Sequence, residues 1–256
     1  MLTLERHNKI LEILNKKKSV TVNELSKKLF ASPATIRRDL TAMEKSGLIT
    51  RSHGGAVLYE SSNAEPSQVI REHENIKEKK VIANLAADFI KNSYSIFLDS
   101  SSTAGFLVPH LTRFRNLSVV TTGIKNALLL MEKTDVRVHV PGGMIAPNSN
   151  TITGSDTLEY ISHINVDVAF ISCAGIDTIS GITEGSFEQS QLKRKMLSNA
   201  KSRILLCDSS KFGHTFLCRT CDFNGIDYFI SDKTPDAELA NAITTAGCEI
   251  IAEDNL

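Results

Sequence analysis

Residues 32–40 read SPATIRRDL, and they are the most informative part of the sequence for how the first part of the chain folds. Ser32 is of a residue type that caps helix N-termini. Pro33 suits the first helical position because its missing amide hydrogen would have no partner there. The stretch therefore predicts a tight turn followed by a helix that begins at Pro33 and continues over residues 34–46.

This predicted helix has a buried face and exposed faces. Ile36, Leu40 and Met43 are four and three residues apart, so they lie together on the face that packs into the core. The residues on the other faces are Thr35, Arg37, Arg38 and Thr41. Arginine can donate two hydrogen bonds to guanine in the major groove, so paired arginines near a helix start are typical of a DNA recognition helix.

Two further helices are predicted before this one. Apolar residues within the first 14 positions fall largely on one helical face. After a short alternating strand at residues 19–22, Asn23 can cap a second helix over residues 24–30. Two short helices joined by a tight turn predict a helix-turn-helix.

The stretch after the third helix predicts a β-hairpin. Gly47 can end the helix, and residues 48–58 read LITRSHGGAVL, with two glycines between two short strands. A hairpin in this place is a wing. Arg51 and His53 would then reach phosphates or the minor groove beside the recognition helix.

The charge of the chain is zero overall but unevenly divided. Residues 1–58 hold 11 Lys and Arg against 5 Asp and Glu, a net charge of +6. The remainder holds 18 against 24, a net charge of −6. A basic head on an acidic body is expected where only the head meets a polyanion.

A basic helical N-terminus alone would be typical of a solvated face. The Ser-Pro helix start, the paired arginines and the glycine hairpin occur in order within 58 residues, and together they favour double-stranded DNA as the partner. The residues that we assign to DNA binding are Lys27, Lys28, Ser32, Thr35, Arg37, Arg38, Thr41, Arg51 and His53.

Further residues complete a pattern in this N-terminal domain. They are Leu25-Ser26, Glu44, Gly47 and residues 51–56, which read RSHGGA. Together with residues 32–40, they give a domain that resembles that of the DeoR family of bacterial transcription regulators. The resemblance implies a winged helix-turn-helix domain over residues 1–58, with the helix-turn-helix near residues 20–39.

The rest of the chain predicts a second, α/β domain. We place a polar linker at residues 59–75 and the second domain at residues 76–256, and residues 70–91 have the periodicity of one long helix. Seven short apolar runs follow, most of them before a helix, which predicts a mostly parallel sheet covered on both faces. The runs are residues 95–98, 117–120, 136–140, 168–171, 203–206, 228–230 and 249–251.

Small polar residues cluster where these predicted strands end. Ligands of open α/β sheets bind at the carboxyl ends of the strands, and hydroxyls with backbone amides at helix starts favour a phosphate. One such loop is usually only a helix cap, but four at equivalent strand ends favour a phosphate pocket. The residues assigned to effector binding are Asp99, Ser100, Ser101, Ser102, Thr103, Thr121, Thr122, Gly123, Gly142, Gly143 and Lys211.

The second domain also resembles the DeoR family, in its sensor domain. The matching residues are Lys79 and residues 82–83, 86–87, 99–103, 142–143, 175–177, 181–183 and 208–213. The resemblance implies a Rossmann-like fold similar to ribose-5-phosphate isomerase, and a phosphorylated sugar as effector. Ser101 stands where the family often has glycine, and Thr122 where it often has asparagine, so the identity of the sugar stays open.

The expected function is that of a repressor of a carbohydrate catabolic operon, released from operator DNA by a phosphorylated sugar. We expect a homo-oligomer, a dimer or tetramer, because two heads can then bind two half-sites. The chain lacks a membrane-length apolar stretch and carries charge where a signal peptide would be apolar, so we expect a cytoplasmic protein with its five cysteines as thiols.

Three other functions are compatible with parts of the sequence. A sugar-phosphate isomerase with a DNA-binding head would need an acid and a base, for which Glu184, Asp177 and Lys193 are candidates. His214, Cys218 and Cys221 have spacing that suits a zinc or redox site, but they are one ligand short of a closed zinc site. An adaptor module would not need the arginines and the wing together. We therefore expect no catalytic residues, no metal and no cofactor.

Overall fold

A computed structural model gives the structure of the chain in two units. It describes residues 3–45, 49–52, 54–57, 68–146 and 149–255. The units are Met1–Arg71 and Glu72–Leu256. Among the described residues, no helix is long and apolar enough to span a bilayer.

The first unit consists of helices and three short strands. Its elements are α1 (Thr3–Lys17), β1 (Ser19–Thr21), α2 (Val22–Leu29), α3 (Pro33–Lys45), β2 (Thr50–Ser52), β3 (Gly55–Val57) and the first part of α4 (Gln68–His73). The strands form an antiparallel sheet in the order β1-β3-β2. The predicted helix-turn-helix and wing are confirmed.

The helix starts of this unit follow from local hydrogen bonds. Thr21 caps α2, because its Oγ1 accepts from the amide of Glu24 at 3.2 Å and the Glu24 carboxylate accepts from the amide of Thr21 at 3.0 Å. The prediction of Asn23 as this cap is wrong, since the reciprocal Thr-Glu pair starts the helix earlier. Helix α3 begins as predicted, with Ser32 Oγ accepting from the amide of Thr35 at 3.1 Å.

The core of the first unit lies between its helices. Ile36, Leu40 and Met43 of α3 are fully buried, as their spacing predicted, and they pack in one cluster with Ile10 of α1 and Leu25 of α2. Burying one such side chain contributes roughly 1.5–3 kcal/mol. This packing fixes the orientation of α3 and leaves its arginines outside.

The second unit contains most of the strands. Its helices are α5 (Ile76–Ala87), α6 (Ser102–Gly105), α7 (Ile124–Lys133), α8 (Ser155–Ser162), α9 (Phe187–Ser198) and α10 (Ala237–Thr245). Its strands are β4 (Ser95–Leu98), β5 (Ser118–Thr121), β6 (Arg137–His139), β7 (Met144–Ala146), β8 (Thr151–Thr153), β9 (Val166–Ser172), β10 (Gly175–Asp177), β11 (Gly181–Glu184), β12 (Ala200–Leu206), β13 (Cys218–Cys221), β14 (Tyr228–Ser231) and β15 (Glu249–Ala252).

Seven of these strands form one parallel sheet in the order β15-β14-β12-β9-β4-β5-β6. They are the seven predicted apolar runs, so the predicted α/β class is confirmed. In β9, Val168 and Phe170 face a core shared with α5, α6 and α7, whereas Ala169 and Ile171 face a core shared with α8, α9 and α10. Helices therefore cover both faces of the sheet.

Two smaller sheets were not predicted. Strands β7 and β8 form an antiparallel hairpin, and β10, β11 and β13 form a three-stranded antiparallel sheet. Their strands are only three or four residues long. The β7–β8 hairpin lies against the loop after β5, because Gly123 and Thr151 form an isolated bridge.

The helix predicted over residues 70–91 is two helices. Asn75 lies between α4 and α5 with φ 52° and ψ 38°, which is a left-handed conformation that cannot continue a right-handed helix. Helix α5 then ends at Ala87. The predicted single helix is therefore wrong, and the break is local to Asn75.

Candidate functional site

The turn between α2 and α3 is held by its own residues. The amide of Ala31 donates to the carbonyl of Ser26 at 3.2 Å, and Ser26 Oγ donates to the carbonyl of Ala31 at 2.5 Å. Ser32 Oγ then contacts Thr35 Oγ1 at 2.9 Å. The start of α3 is thus fixed, and Ser32 and Thr35 lie at it.

The arginines of α3 are exposed, whereas the aspartate that follows them is buried. Asp39 accepts hydrogen bonds from Arg6 Nε at 2.5 Å and Nη2 at 3.0 Å, and lies 3.2 Å from His7 Nε2. Burial acts to raise the pKa of Asp39, but the bonds with Arg6 and His7 outweigh it and hold the pKa below its usual value. This ion pair ties α3 to α1 and leaves Arg37 and Arg38 facing solvent.

The wing is bonded to the recognition helix. Arg51 Nη1 donates to Thr41 Oγ1 at 3.0 Å, and the amide of Arg51 donates to Glu44 Oε1 at 3.1 Å. Thr41 Oγ1 in turn donates to the carbonyl of Arg37 at 2.9 Å. The structure therefore brings Arg37, Thr41 and Arg51 onto one exposed surface. The assigned His53 lies outside the described residues.

Two lysines and a phenylalanine are exposed at the end of α2, and the exposure of the phenylalanine was not predicted. Lys27 and Lys28 are exposed in the last turn of α2. Phe30 follows them in a left-handed conformation, with φ 50°, and its side chain is 96% exposed. A bulky residue in this conformation is uncommon, and a hydrophobic pattern would place Phe30 in the core.

In the second unit, four neighbouring strands deliver polar side chains to one edge of the sheet. Strands β12, β9, β4 and β5 are adjacent and parallel, so their carboxyl ends lie side by side. They lead into Asp208, Ser172, Asp99 and Thr121 respectively. All four side chains are buried. This is the edge at which open α/β sheets bind ligands.

Asp99 organises the loop after β4. Its Oδ1 accepts from the amide of Ser101 at 2.9 Å and from Ser101 Oγ at 2.5 Å, and its Oδ2 accepts from the amide of Ser172 at 2.8 Å. Ser101 Oγ also accepts from the amide of Ala104 at 3.1 Å. The Ser101 hydroxyl is thus already used to shape the loop.

A buried lysine lies beside Asp99. Lys193 Nζ of α9 is 3.3 Å from Asp99 Oδ2, donates to the carbonyl of Ser172 at 2.8 Å and forms a close ion pair with Glu184. Both side chains of that pair are almost fully buried. Asp177, the third candidate for isomerase chemistry, instead accepts from backbone amides within the β10–β11 turn.

The β7–β8 hairpin contacts other residues that were assigned to effector binding. Thr151 Oγ1 donates to Ser100 Oγ at 2.7 Å, and the amide of Gly123 donates to Thr121 Oγ1 at 3.1 Å. Gly123 allows this approach, since a Cβ there would lie 2.8 Å from the Cα of Ser100. The carbonyl of Thr122 accepts from the amide of Ile152 at 2.8 Å.

The remaining loop residues differ in what they contact. Ser102 and Thr103 are buried, and Thr103 Oγ1 has no hydrogen-bond partner within the part of the chain that the structure describes. Gly142 accepts from Thr157 Oγ1 at 2.8 Å, and a Cβ on Gly143 would lie 2.6 Å from the carbonyl oxygen of Thr153. The two glycines therefore lie against β8 and α8.

Lys211 lies on the other side of the cluster. Its Nζ donates to Ser172 Oγ at 2.8 Å and is 3.5 Å from Asp208 Oδ2. Burial acts to raise the pKa of Asp208, but Lys211, Ser210 and Lys79 outweigh it and keep the pKa below its usual value. Asp208 Oδ1 also accepts from Asn75 Nδ2 at 3.0 Å. The sequence had placed neither Asn75 nor Lys79 in the site.

The cysteines that suggested a zinc or redox site lie in and near β13. Burial raises the pKa of the Cys221 thiol to about 11, so it is protonated at neutral pH. The five cysteines are free thiols. In the described ranges, no group of three or more His, Cys, Asp or Glu side chains has an arrangement that could hold a metal ion.

These features define a class of protein. A winged helix-turn-helix exposes arginines and lysines, and it is followed in the chain by an α/β unit with a buried polar cluster at its strand ends. The first is the arrangement of a DNA reader and the second is that of a small-ligand site. The chain has the organisation of a ligand-responsive transcription regulator.

Comparison with known families identifies which one. Residues 6–62 match the DeoR-like helix-turn-helix domain, and residues 74–233 match the DeoR C terminal sensor domain. The chain belongs to the DeoR family. It is a DNA-binding transcription regulator rather than an isomerase, because the members of this family that it matches are regulators.

Several relatives match the chain over nearly its full length. The HTH-type transcriptional regulator GolR of Listeria innocua is 35% identical, with 99% of this chain and 100% of the relative covered. The glycerol-3-phosphate regulon repressor of Escherichia coli is 31% identical, covering 94% and 95%. The HTH-type transcriptional repressor GlcR of Bacillus subtilis is 31% identical, covering 98% and 96%.

About half of the chain also has low similarity to solved enzymes. Ribose 5-phosphate isomerase A from Neisseria gonorrhoeae is 18% identical, over 52% of each chain, with a TM-score of 0.39. The isomerase from Methanocaldococcus jannaschii is 17% identical, over 52% and 53%, with a TM-score of 0.38.

Proposed function

We propose that this regulator represses a carbohydrate catabolic operon and is released from its operator by a phosphorylated sugar. Relatives named as repressors, one of a glycerol-3-phosphate regulon, support this reading. The observation that carries it is the meeting of Asp99, Ser172 and Lys211 at one sheet edge. A cation there can hold a phosphate, while carboxylates can accept from sugar hydroxyls.

On the DNA side, α3 enters the major groove. Arg37 and Arg38 read base edges, while Lys27, Lys28 and the wing residue Arg51 contact phosphates. Their exposure supports this assignment. A dimer or tetramer would present two heads to half-sites about 34–36 Å apart. We place these events in the cytoplasm.

On the effector side, the phosphate lies near Lys211 and Thr103. Lys211 supplies a positive charge, and the Thr103 hydroxyl is buried with no partner among the described residues, so a ligand oxygen would satisfy it. Ser100, Ser102, Thr121 and the backbone at 122–123 and 142–143 line the rest. Residues 1–58 are the DNA-binding domain, 59–75 the linker and 76–256 the sensor.

Release requires that the effector bind more tightly to the state that cannot hold DNA. An effector with equal affinity for both states would change nothing, and typical couplings change affinity about 5–150-fold. The effector therefore must make contacts in one state that it lacks in the other.

The test is an operator-binding assay with candidate effectors. DNA fragments flanking the coding region are titrated with the full chain, with and without ribose 5-phosphate, glucose 6-phosphate, fructose 6-phosphate and glycerol 3-phosphate. We expect salt-sensitive binding that one of these weakens. Lys211→Ala should raise the effector concentration needed for half-release at least about tenfold, since a charge-assisted hydrogen bond contributes about 1.5–3 kcal/mol.

The matched control is Lys201→Ala. Lys201 is an exposed lysine at the start of β12, whereas the site lies beyond the end of that strand. This variant should release DNA like the wild type. Absence of salt-sensitive binding to any fragment, or release of the Lys211 variant at wild-type effector concentrations, would contradict the proposal.

A further inference from the structure

The residue that breaks the helix between α4 and α5 makes unusual use of its side chain. Asn75 occupies the N-cap position of α5, where asparagine normally bonds the helix's own amides, yet it makes no such bond. Its Nδ2 instead donates to Asp208 Oδ1 at 3.0 Å and to Ser210 Oγ at 2.8 Å. The Asn75 side chain is thus committed to the loop that carries Lys211.

A second contact joins the same segment to helix α7, which follows another effector loop. Glu72 Oε2 accepts from Lys125 Nζ at 2.6 Å. Lys125 lies in the first turn of α7, directly after the loop at residues 121–123. A cavity of about 410 Å³ is lined by Glu72, Lys125 and Ser102, among others. One effector loop, at Asp208 and Ser210, and the helix that follows another, α7, therefore contact the segment 72–75.

A residue of the following helix, α5, also bonds to this segment. Lys79 is buried, and its Nζ donates to the carbonyl of Glu74 at 2.8 Å. Lys79 is close enough to Asp208 to stabilise its carboxylate. Segment 72–75 is thus the point at which Lys79, the Asp208 loop and α7 meet, and along the chain it directly follows the DNA-binding unit.

The Asp208 carboxylate already has cationic neighbours without an effector. The buried carboxylate of Asp208 is offset by Lys211 at 3.5 Å and by Lys79. An anion drawn to Lys211 would bring a second negative charge near Asp208, and like charges at close range repel strongly away from water. The Asp208 loop must then adjust, and Asn75 is bonded to that loop through two acceptors.

We propose that Asn75 is a positioning residue that couples effector binding to the DNA-binding unit. Binding of an anion beside Lys211 changes the hydrogen bonds between Asn75 and the Asp208–Ser210 loop, and residues 72–75 transmit that change toward the DNA-binding unit. The inference rests on the proposed function, because it requires a phosphorylated effector at this site.

The experiment uses the full chain and Asn75→Gly. Glycine keeps the left-handed backbone and removes the side-chain amide. The matched control is Asn116→Gly, because Asn116 is exposed and has a similar φ of 59° but precedes β5, whereas the effector loop follows that strand. Operator affinity is measured by fluorescence anisotropy with and without the sugar phosphate that releases the wild type, and effector affinity by calorimetry.

We expect Asn116→Gly to keep the wild-type ratio of operator affinities without and with effector. Asn75→Gly should lower that ratio toward one, from a wild-type value in the range of about 5–150, while still binding the effector. Ser210→Ala removes one of the two acceptors and leaves Asn75 in place, so it should lower the ratio by a smaller factor. That variant also serves if Asn75→Gly fails to fold.

The outcomes separate this inference from the proposed function. If none of ribose 5-phosphate, glucose 6-phosphate, fructose 6-phosphate or glycerol 3-phosphate releases the wild type, the proposed function fails and the coupling role fails with it. If the wild type responds and the Asn75 and Ser210 variants keep its ratio, only the coupling role is overturned. A loss of effector affinity with an unchanged ratio at saturation would also overturn it, because Asn75 would then only hold ligand.

Discussion

The two units of the molecule present their polar residues in opposite ways. In the DNA-binding unit, Arg37, Arg38 and Arg51 are exposed, and Arg51 donates to the half-buried Thr41. In the sensor unit, Asp99 and Lys193 are buried. Asp99 accepts from the amide of Ser172, and Lys193 donates to the carbonyl of Ser172. Exposed charges are available for a large polyanion, whereas buried charges must be satisfied before any ligand arrives.

The difference implies that the two sites respond differently to substitution. Removing an exposed arginine deletes an interaction with a partner and leaves the fold as it was. Removing a buried charge leaves its opposite charge without compensation in the protein interior. Binding and stability should therefore separate in the first unit and be linked in the second.

The largest effect is expected for Lys193→Met in the sensor unit. Loss of the ammonium leaves the carboxylates of Glu184 and Asp99 buried without their cation, which should destabilise the unit by about 3–5 kcal/mol. Urea unfolding followed by circular dichroism measures this. Lys201→Met, at an exposed lysine paired with Asp167, is the control and should unfold close to the wild type. Coincident unfolding curves for the two variants would show that burial of the ion pair does not determine the loss of stability.

The next effect concerns binding and not stability. Arg37→Ala and Arg38→Ala should each weaken operator binding by about 1–3 kcal/mol, if each arginine reads a guanine. Unfolding should change by less than about 0.5 kcal/mol, because both side chains are exposed. Arg115→Ala, at an exposed arginine of the sensor unit, controls for the lost charge. A lowered melting temperature in the α3 variants with unchanged operator affinity would reverse the expected separation.

The smallest effect is a pH dependence within the first unit. Because the pKa of Asp39 is lower in the folded chain than in the unfolded chain, its pairing stabilises the unit above the unfolded pKa, and this stability is lost as pH falls through the folded value. Stability should change little from pH 7 to about 5 and fall below about pH 4. Asp39→Asn should remove that part of the acid dependence in unfolding curves recorded across this range. An equally steep acid loss in the variant would assign the dependence to other carboxyl groups.

The sequence predicted the elements whose signals are local. Each of the seven parallel strands is a compact apolar run, and α3 begins with Ser32 and Pro33, so both were found from composition and spacing. The order of the strands was not predictable, because it depends on pairings between residues far apart in the chain. The strands β7, β8, β10, β11 and β13 were missed, since most of them mix apolar residues with glycine, threonine or charged residues and are not compact apolar runs.

The site was predicted in the same partial way. Strand-end loops such as residues 99–103 were found because ligands bind at these ends. Lys193, Lys79 and Asn75 were not assigned to it, because helical periodicity tells which face a residue occupies but not what lies opposite. No glycine or proline lies at Asn75 to indicate a helix break, so the periodicity predicted one continuous helix.

The position of β9 has a consequence for the timing of protein synthesis. This strand lies between β4 and β12, so the centre of the sheet cannot be completed until residue 206 has been made, and its edge not until residue 252. The pairings of the first unit close within residues 19–57. At a synthesis rate of about 5–20 residues per second, the strands of the first unit are complete roughly 10–40 s before the last strand of the sensor. During synthesis on the ribosome, the DNA-binding unit can therefore fold before the sensor is complete enough to bind an effector. Ribosome-bound chains arrested at intermediate lengths should contain a folded DNA-binding unit and an unfinished sensor.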